Sequence, residues 1–152
     1  MPIKTYRGLI PDGDQIKINL RTNDGKVGYR INKFQVIPED PAGTTGEITV
    51  KIFKEPQTTV TDKIRFDDLS LLGCAYYSGN ANPNYPHDAV IIFDSEVFNQ
   101  DIHITQKDTN DQAKVNYYLE LEQVKLNDNE TTMATLQSLR SRYESFTPAG
   151  PS

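Results

Sequence analysis

The sequence is poor in the residues that build disulfide frameworks and metal sites. It has no tryptophan, one cysteine and two histidines among 152 residues. Cys74 has no partner for an internal disulfide, and it lies in the apolar segment LLGCAYY, so we expect a small buried side chain rather than a reactive thiol. His87 and His103 are far apart, without the spacing of metal ligands. The sequence therefore predicts no metal site and no cofactor.

Long apolar runs and basic clusters are also missing. No apolar stretch has the length of a signal peptide or a membrane-spanning helix, so we expect synthesis and folding in a cytoplasm. The chain carries 16 Lys and Arg against 21 Asp and Glu, a formal charge of −5. Nucleic acids and anionic membranes attract basic surfaces. We therefore predict that neither is a partner.

No sequence motif marks a catalytic centre. The nucleophile elbow, the phosphate-binding loop and the dinucleotide fingerprint are all absent. Acidic residues cluster at Asp12 and Asp14 and again at Asp94, Glu96 and Asp101, and we interpret them mainly as turn-forming, solubilising side chains. A calcium site and a pair of catalytic carboxylates stay open as alternatives. The sequence thus predicts no catalytic residue and a protein that is not an enzyme.

What the sequence does contain is a series of short strand patterns separated by polar turns. Glu47 to Lys54 alternates most clearly, with Thr49 and Lys51 predicted to face solvent. The apolar run from Ala89 to Phe93 predicts a strand buried on both faces, and 64–66 predicts an edge strand. About eight strands of this kind predict a mainly β fold, an antiparallel β-sandwich of jelly-roll or Greek-key type.

Irregularities in the alternation predict bulges and turns. The phase shifts at Asn32 and Lys33, which predicts either a β-bulge or a strand that crosses between sheets. It shifts again between Leu121 and Val124, where we predict another bulge. Asn23-Asp-Gly25 is a strong tight-turn signal. His103 alternates with isoleucines and is therefore predicted to point to solvent.

The two ends of the chain differ from the middle. We divide it into an extended arm (1–10), a sandwich domain (11–126), a C-terminal amphipathic helix (127–146) and a disordered tail (147–152). Asn129 is the predicted N-cap of the helix. An arm of this kind could add a strand to the sheet of a neighbour.

Three segments carry the candidate binding residues. Apolar side chains of the arm and of one helix face are predicted to contact a partner. The polar segment from 78 to 88 is a candidate ligand loop, because aromatic residues flank its amides. The partner-binding candidates are Ile3, Tyr6, Leu9, Met133, Leu136 and Tyr143, and the loop candidates are Tyr77, Asn82 and Tyr85.

The segments RGLIPDG (7–13), IIFDSEVFNQDIHITQKD (91–108) and VNYYLELEQVKLNDNETTMATLQSLR (115–140) carry a family resemblance. From Tyr6 to Arg142 the chain resembles small virion structural proteins of marine tailed bacteriophages. The resemblance implies a part of the phage particle, most simply a capsid decoration (cement) protein that stabilises the assembled shell. It implies the major capsid protein or other virion proteins as partners, and a homo-oligomer. The alternative is a tail or fibre-associated component that binds host-surface carbohydrate.

Overall fold

The computed structural model describes residues 2–44, 46–79, 88–93, 96–110 and 112–146, with side chains up to Gln137 in the last range. Within these residues, eight strands precede one helix. They are β1 (Ile3–Ile10), β2 (Gln15–Ile18), β3 (Val27–Pro38), β4 (Glu47–Phe53), β5 (Leu71–Ser78), β6 (Asp88–Ile92), β7 (Ile102–Asp108), β8 (Val115–Lys125) and α1 (Asp128–Phe146).

The strands form two antiparallel sheets with the orders β1-β8-β3 and β2-β7-β4-β5-β6. The predicted antiparallel β-sandwich with a C-terminal helix is confirmed. The pairs β1 with β8, β2 with β7 and β4 with β5 are nested, as when one long antiparallel ribbon folds back on itself. This nesting is the pattern of a jelly roll.

The segment after β6 links the two sheets. β6 itself pairs with β5 in the five-stranded sheet, although full nesting would place it beside β3. The chain reaches β3 farther along, where Phe98 and Tyr29 exchange two backbone hydrogen bonds of 2.7 and 2.9 Å. The rings of the same two residues stack with 6.4 Å between centroids. The bridge between Phe98 and Tyr29 therefore takes the place of a strand pair between β6 and β3.

β6 is exposed, whereas the apolar run predicted a strand buried on both faces. It forms the edge of the five-stranded sheet, and the side chains of Val90 and Ile91 are exposed. The prediction was wrong because successive side chains, which point to opposite faces of this edge strand, are left uncovered. An apolar composition does not report the position of a strand in its sheet.

The bulge predicted at Asn32 is confirmed. The register between β3 and β8 shifts between Ile31 and Lys33, so Ile31 and Phe34 both point into the core. The second predicted bulge is wrong, because Leu121 to Val124 pair with β3 without a shift. Val124 instead lies on the opposite face and lines a groove beside α1.

The outer face of the five-stranded sheet is covered by the segment 54–70. Thr49, Lys51 and His103 are therefore buried, and the prediction that they face solvent was wrong. The hydroxyl of Thr49 donates to the carbonyl of Asp62 at 3.2 Å, which fixes the segment on the sheet. The edge strand predicted at 64–66 is wrong too, since these residues form no strand.

β1 is part of the sandwich rather than a separate arm. It pairs with β8 along its whole length, from Ile3 opposite Glu122 to Ile10 opposite Val115. Ile10 is fully buried. The backbone of residues 3–10 is extended, as an arm would be, but its hydrogen bonds on one side are already used within the chain. The predicted tail (147–152) lies outside the described residues.

A reciprocal capping box begins the helix at Asp128. The side chain of Asn127 accepts a hydrogen bond from the Glu130 amide at 2.8 Å, and the Glu130 carboxylate accepts one from the Asn127 amide at 3.1 Å. The N-cap is therefore Asn127, and Asn129, which was predicted to cap, lies inside the first turn. Both asparagines precede the same apolar pattern, so the sequence alone did not separate them.

The helix is held against one end of the sandwich by Asn99. The Asn99 amide donates to the Thr135 hydroxyl at 2.9 Å and to the Gly25 carbonyl at 3.1 Å. Asn99 is fully buried, and Ala134 is buried beside it on the helix. A buried amide with both donors satisfied orients the elements it joins. The first turns of α1 are therefore fixed to the sandwich.

We expect Asn127→Ala to destabilise the helix by about 1 kcal/mol, because the Glu130 amide in its first turn loses its side-chain acceptor. Hydrogen exchange of the backbone amides in the first turn of α1 would measure the change. Asn129→Ala is the matched control and should change protection by less than about 0.5 kcal/mol. Equal effects of the two substitutions would contradict the assignment of the cap.

Candidate docking surface on the three-stranded sheet

The outer face of the three-stranded sheet is built by alternate residues of β1, β8 and β3. Since side chains along a strand alternate between faces, the pairing register places them in rows across the sheet. The four rows are Leu9, Asn116 and Ile37; then Arg7, Tyr118 and Gln35; then Thr5, Glu120 and Lys33; then Ile3, Glu122 and Arg30.

One end of this face is apolar. Leu9 is 41% exposed and Ile37 is 60% exposed, on either side of Asn116. The ring of Tyr118 lies in the next row, and together these side chains line a shallow depression of about 540 Å³. We call Leu9, Ile37 and Tyr118 the apolar patch. Exposed apolar side chains that cluster on a rigid sheet are characteristic of interaction sites.

The other end is ionic. Arg30 and Glu122 form an ion pair with 3.1 Å between the guanidinium nitrogen and the carboxylate oxygen. Lys33 is paired in register with Glu120 on the neighbouring strand. Positive and negative side chains are therefore interspersed on this half of the face. That pattern suits a protein partner better than a uniformly charged polymer.

Tyr118 joins the two ends of the face. Its hydroxyl donates to the carboxylate of Glu120 at 3.1 Å. Local burial, followed by this hydrogen bond and the negative charge of Glu120, raises the pKa of Tyr118. The hydrogen bond to Glu120 favours one orientation of the ring. A fixed aromatic side chain loses little conformational entropy when a partner covers it.

Gly8 leaves room for an aromatic ring beneath the depression. The ring of Tyr117, on the inner side of β8, lies against the backbone of Gly8, and a Cβ at this position would be 2.9 Å from a ring carbon. Burial raises the pKa of Tyr117. The depression therefore has an aromatic floor that is part of the core.

The residues predicted to bind a partner are spread over several surfaces. Leu9 lies in the apolar patch and Ile3 in the ionic row, whereas Tyr6 turns inward and packs against the core. Met133 and Leu136 are exposed on α1. The side chain of Tyr143 lies outside the described residues. Whether any of them binds a partner stays a prediction.

The predicted ligand loop falls mostly outside the described residues, including Asn82 and Tyr85. Tyr77 precedes it, on the side of β5 that faces the core. The Tyr77 ring is partly buried, and its hydroxyl lies 3.5 Å from the carbonyl of Pro41. The aromatic side chain at the start of the loop therefore also has a packing role.

Sequence reasoning missed most of the apolar patch. Tyr117 and Tyr118 are adjacent in a strand, so their rings point to opposite faces of the sheet. Tyr117 packs inside. Nothing in the local pattern connects Ile37 with Leu9, because they share a row of the sheet only through the pairing of both strands with β8. The sequence showed which residues of each strand face solvent, but it did not show how the strands are aligned with one another.

Two further observations bear on the function of the surface. Among residues placed by the structure, no group of three or more His, Cys, Asp or Glu side chains is arranged to hold a metal ion. No helix in the described part of the chain is both long and apolar enough to span a membrane. No family model, curated protein or solved structure matches the chain. What the surface can bind therefore has to follow from its own residues.

Proposed function

We propose that the chain is a structural protein of a bacteriophage virion, a capsid decoration protein that binds the assembled shell and stabilises it. The observation that supports this best is the apolar patch, which presents Leu9, Ile37 and an oriented Tyr118 on a rigid sheet. Aromatic and aliphatic side chains of this kind form the centres of protein interfaces. The resemblance to phage virion proteins supports the same class.

The major capsid protein is the proposed occupant of the patch. The charges beside the patch have both signs, with Arg30 paired to Glu122 and Lys33 opposite Glu120. A nucleic acid or an anionic lipid surface would favour a basic face instead. An apolar centre beside mixed charges is the usual composition of a protein interface.

The shell would be stabilised because binding of the chain is linked to assembly. A protein that binds the assembled lattice and not free subunits favours assembly by mass action. Because the shell repeats one surface many times, every copy of that surface offers the same docking site. Copies of the chain could also contact each other around a symmetry axis, which gives the proposed homo-oligomer.

Copy number in purified particles tests the proposal. We expect roughly one copy per capsid subunit, or another simple fraction set by the lattice, when the chain is quantified by mass spectrometry against the major capsid protein. A few copies per particle would contradict decoration. Absence from the particle would contradict a virion role altogether.

The second candidate function is a tail or fibre-associated component that binds host-surface carbohydrate. Its specific support is the row in which Tyr118 lies between Arg7 and Gln35, next to Asn116. An aromatic face with amide and guanidinium donors suits a sugar ring. The loop with Tyr77, Asn82 and Tyr85 remains an alternative sugar site. A low copy number together with binding to host envelope glycans would favour this function.

A further inference from the structure

A cavity with cationic walls lies beneath the segment 54–70, on the sheet opposite the docking surface. Its volume is about 280 Å³. Three cationic residues and one acidic residue line it, in a chain whose formal charge is −5. The lining residues are Lys51, Phe53, Gln57, Thr59, Thr61, Lys63, Arg65, Asp68 and Leu71.

Lys51 is the buried cation of this cavity. It is 6% exposed, and its ammonium donates to the Thr61 hydroxyl at 3.2 Å and to the Lys63 carbonyl at 2.6 Å. The same ammonium lies 5.5 Å from the centre of the Phe53 ring. An ammonium has three donors, and two of them are satisfied by these neutral oxygens. The third donor has no acceptor in the described part of the chain.

Lys54 provides a comparison within the same region. It is buried to the same degree as Lys51, but its ammonium forms an ion pair with Glu96 at 3.1 Å. None of the ion pairs among the described residues includes Lys51. Buried charges in proteins are usually paired, so Lys51 departs from the pattern that Lys54 follows.

Electrostatics point to a missing counter-charge. Burial lowers the pKa of Lys51, and the carboxylates of Asp62 and Asp68 oppose that shift. Asp68 is already engaged locally, since its carboxylate accepts hydrogen bonds from the Ser70 amide at 2.9 Å and hydroxyl at 2.7 Å. Lys63 and Arg65 bring two more positive charges to the cavity. The cavity therefore has an excess of positive charge.

We infer that this cavity binds an oxyanion, a phosphate or carboxylate group, through Lys51, Lys63 and Arg65. The ammonium of Lys51 supplies a desolvated donor at the base, where a charge-assisted hydrogen bond is strongest. The guanidinium of Arg65 can hold two oxygens of the same group. The hydroxyls of Thr59 and Thr61 offer neutral donors beside them. A cavity of about 280 Å³ has room for such a group.

Thermal unfolding in sodium phosphate tests the inference. Phosphate should raise Tm in a saturable way relative to sodium chloride at equal ionic strength, because the folded state alone has the site. Replacing the exposed cations by K63Q and R65Q together should weaken phosphate binding by at least about tenfold. The control pair K4Q and K125Q removes two exposed cations from the other sheet and should leave the rise in Tm unchanged.

A second titration, with sodium succinate, distinguishes the two kinds of oxyanion. A saturable rise in Tm with phosphate alone identifies a phosphate group, and a rise with succinate alone identifies a carboxylate, such as an acidic side chain of a neighbouring protein. No rise with either anion overturns the inference. An equal rise in all variants also overturns it, since phosphate then acts through general exclusion from the protein surface. The result does not depend on copy number in the particle.

Discussion

Replacing Phe98 by alanine should lower the free energy of unfolding by about 3–5 kcal/mol. The side chain is 1% exposed and stacks on Tyr29, the residue of β3 with which Phe98 forms a β-bridge. Its removal leaves a cavity in the core, and the neighbouring backbone is held by the paired hydrogen bonds between the same two residues. The substitution therefore weakens the link that substitutes for a strand pair between β6 and β3.

Urea denaturation followed by circular dichroism would measure this loss. Phe66→Ala is the matched control, because Phe66 is 60% exposed and contacts Phe93 edge to face at 5.4 Å between centroids. We expect that control to cost about 1 kcal/mol, the scale of an aromatic pair. If the two alanine variants were equally stable, Phe98 would not be the link between the sheets.

Ile37→Lys should reduce binding to capsids that lack the protein by at least about 100-fold, the size of effect seen at the centre of an interface. The substitution places a charge in the apolar patch, where docking would bury it without a counter-charge. Ile37 is exposed, and lysine is tolerated on the outer strand of a sheet, so the fold should be retained. Cosedimentation of the variant with capsids would measure the affinity.

Met133→Lys is the control for this experiment. Met133 is 61% exposed, like Ile37, but it lies on α1 and not on the sheet. If the chain docks through the three-stranded sheet, the affinity of this variant for capsids should be unchanged. The reverse result, with loss of binding in Met133→Lys only, would reject the sheet face. It would instead favour the helix face of Met133 and Leu136 that the sequence predicted.

Local patterns predicted the elements well. The alternation from Glu47 to Lys54 became β4, with Ile48 and Val50 in the core. The Asn-Asp-Gly turn is where Gly25 adopts a φ of 66°, a conformation that glycine tolerates best. The phase shift at Asn32 became a bulge. Each of these features depends on a few consecutive residues, so the sequence carried the information directly.

The candidate sites were much less predictable. Leu9 was singled out as an apolar residue of an arm, but its neighbour Ile37 and the oriented Tyr118 depend on the register of three strands. Lys51 was predicted to face solvent because it is one of the polar residues that alternate with the core residues of β4. Its burial, and the cavity it shares with Arg65, depend on a segment that folds back over the sheet.

By itself, the sequence determined which residues share a face of each strand, where the chain turns and where the helical period begins. These are consequences of the two-residue repeat of a strand and of local backbone preferences. Only the tertiary structure decided which faces are covered. β6 is exposed because it lies at an edge, and β1 is half of a strand pair because β8 lies beside it. Those neighbours are distant in sequence, so no local pattern specifies them.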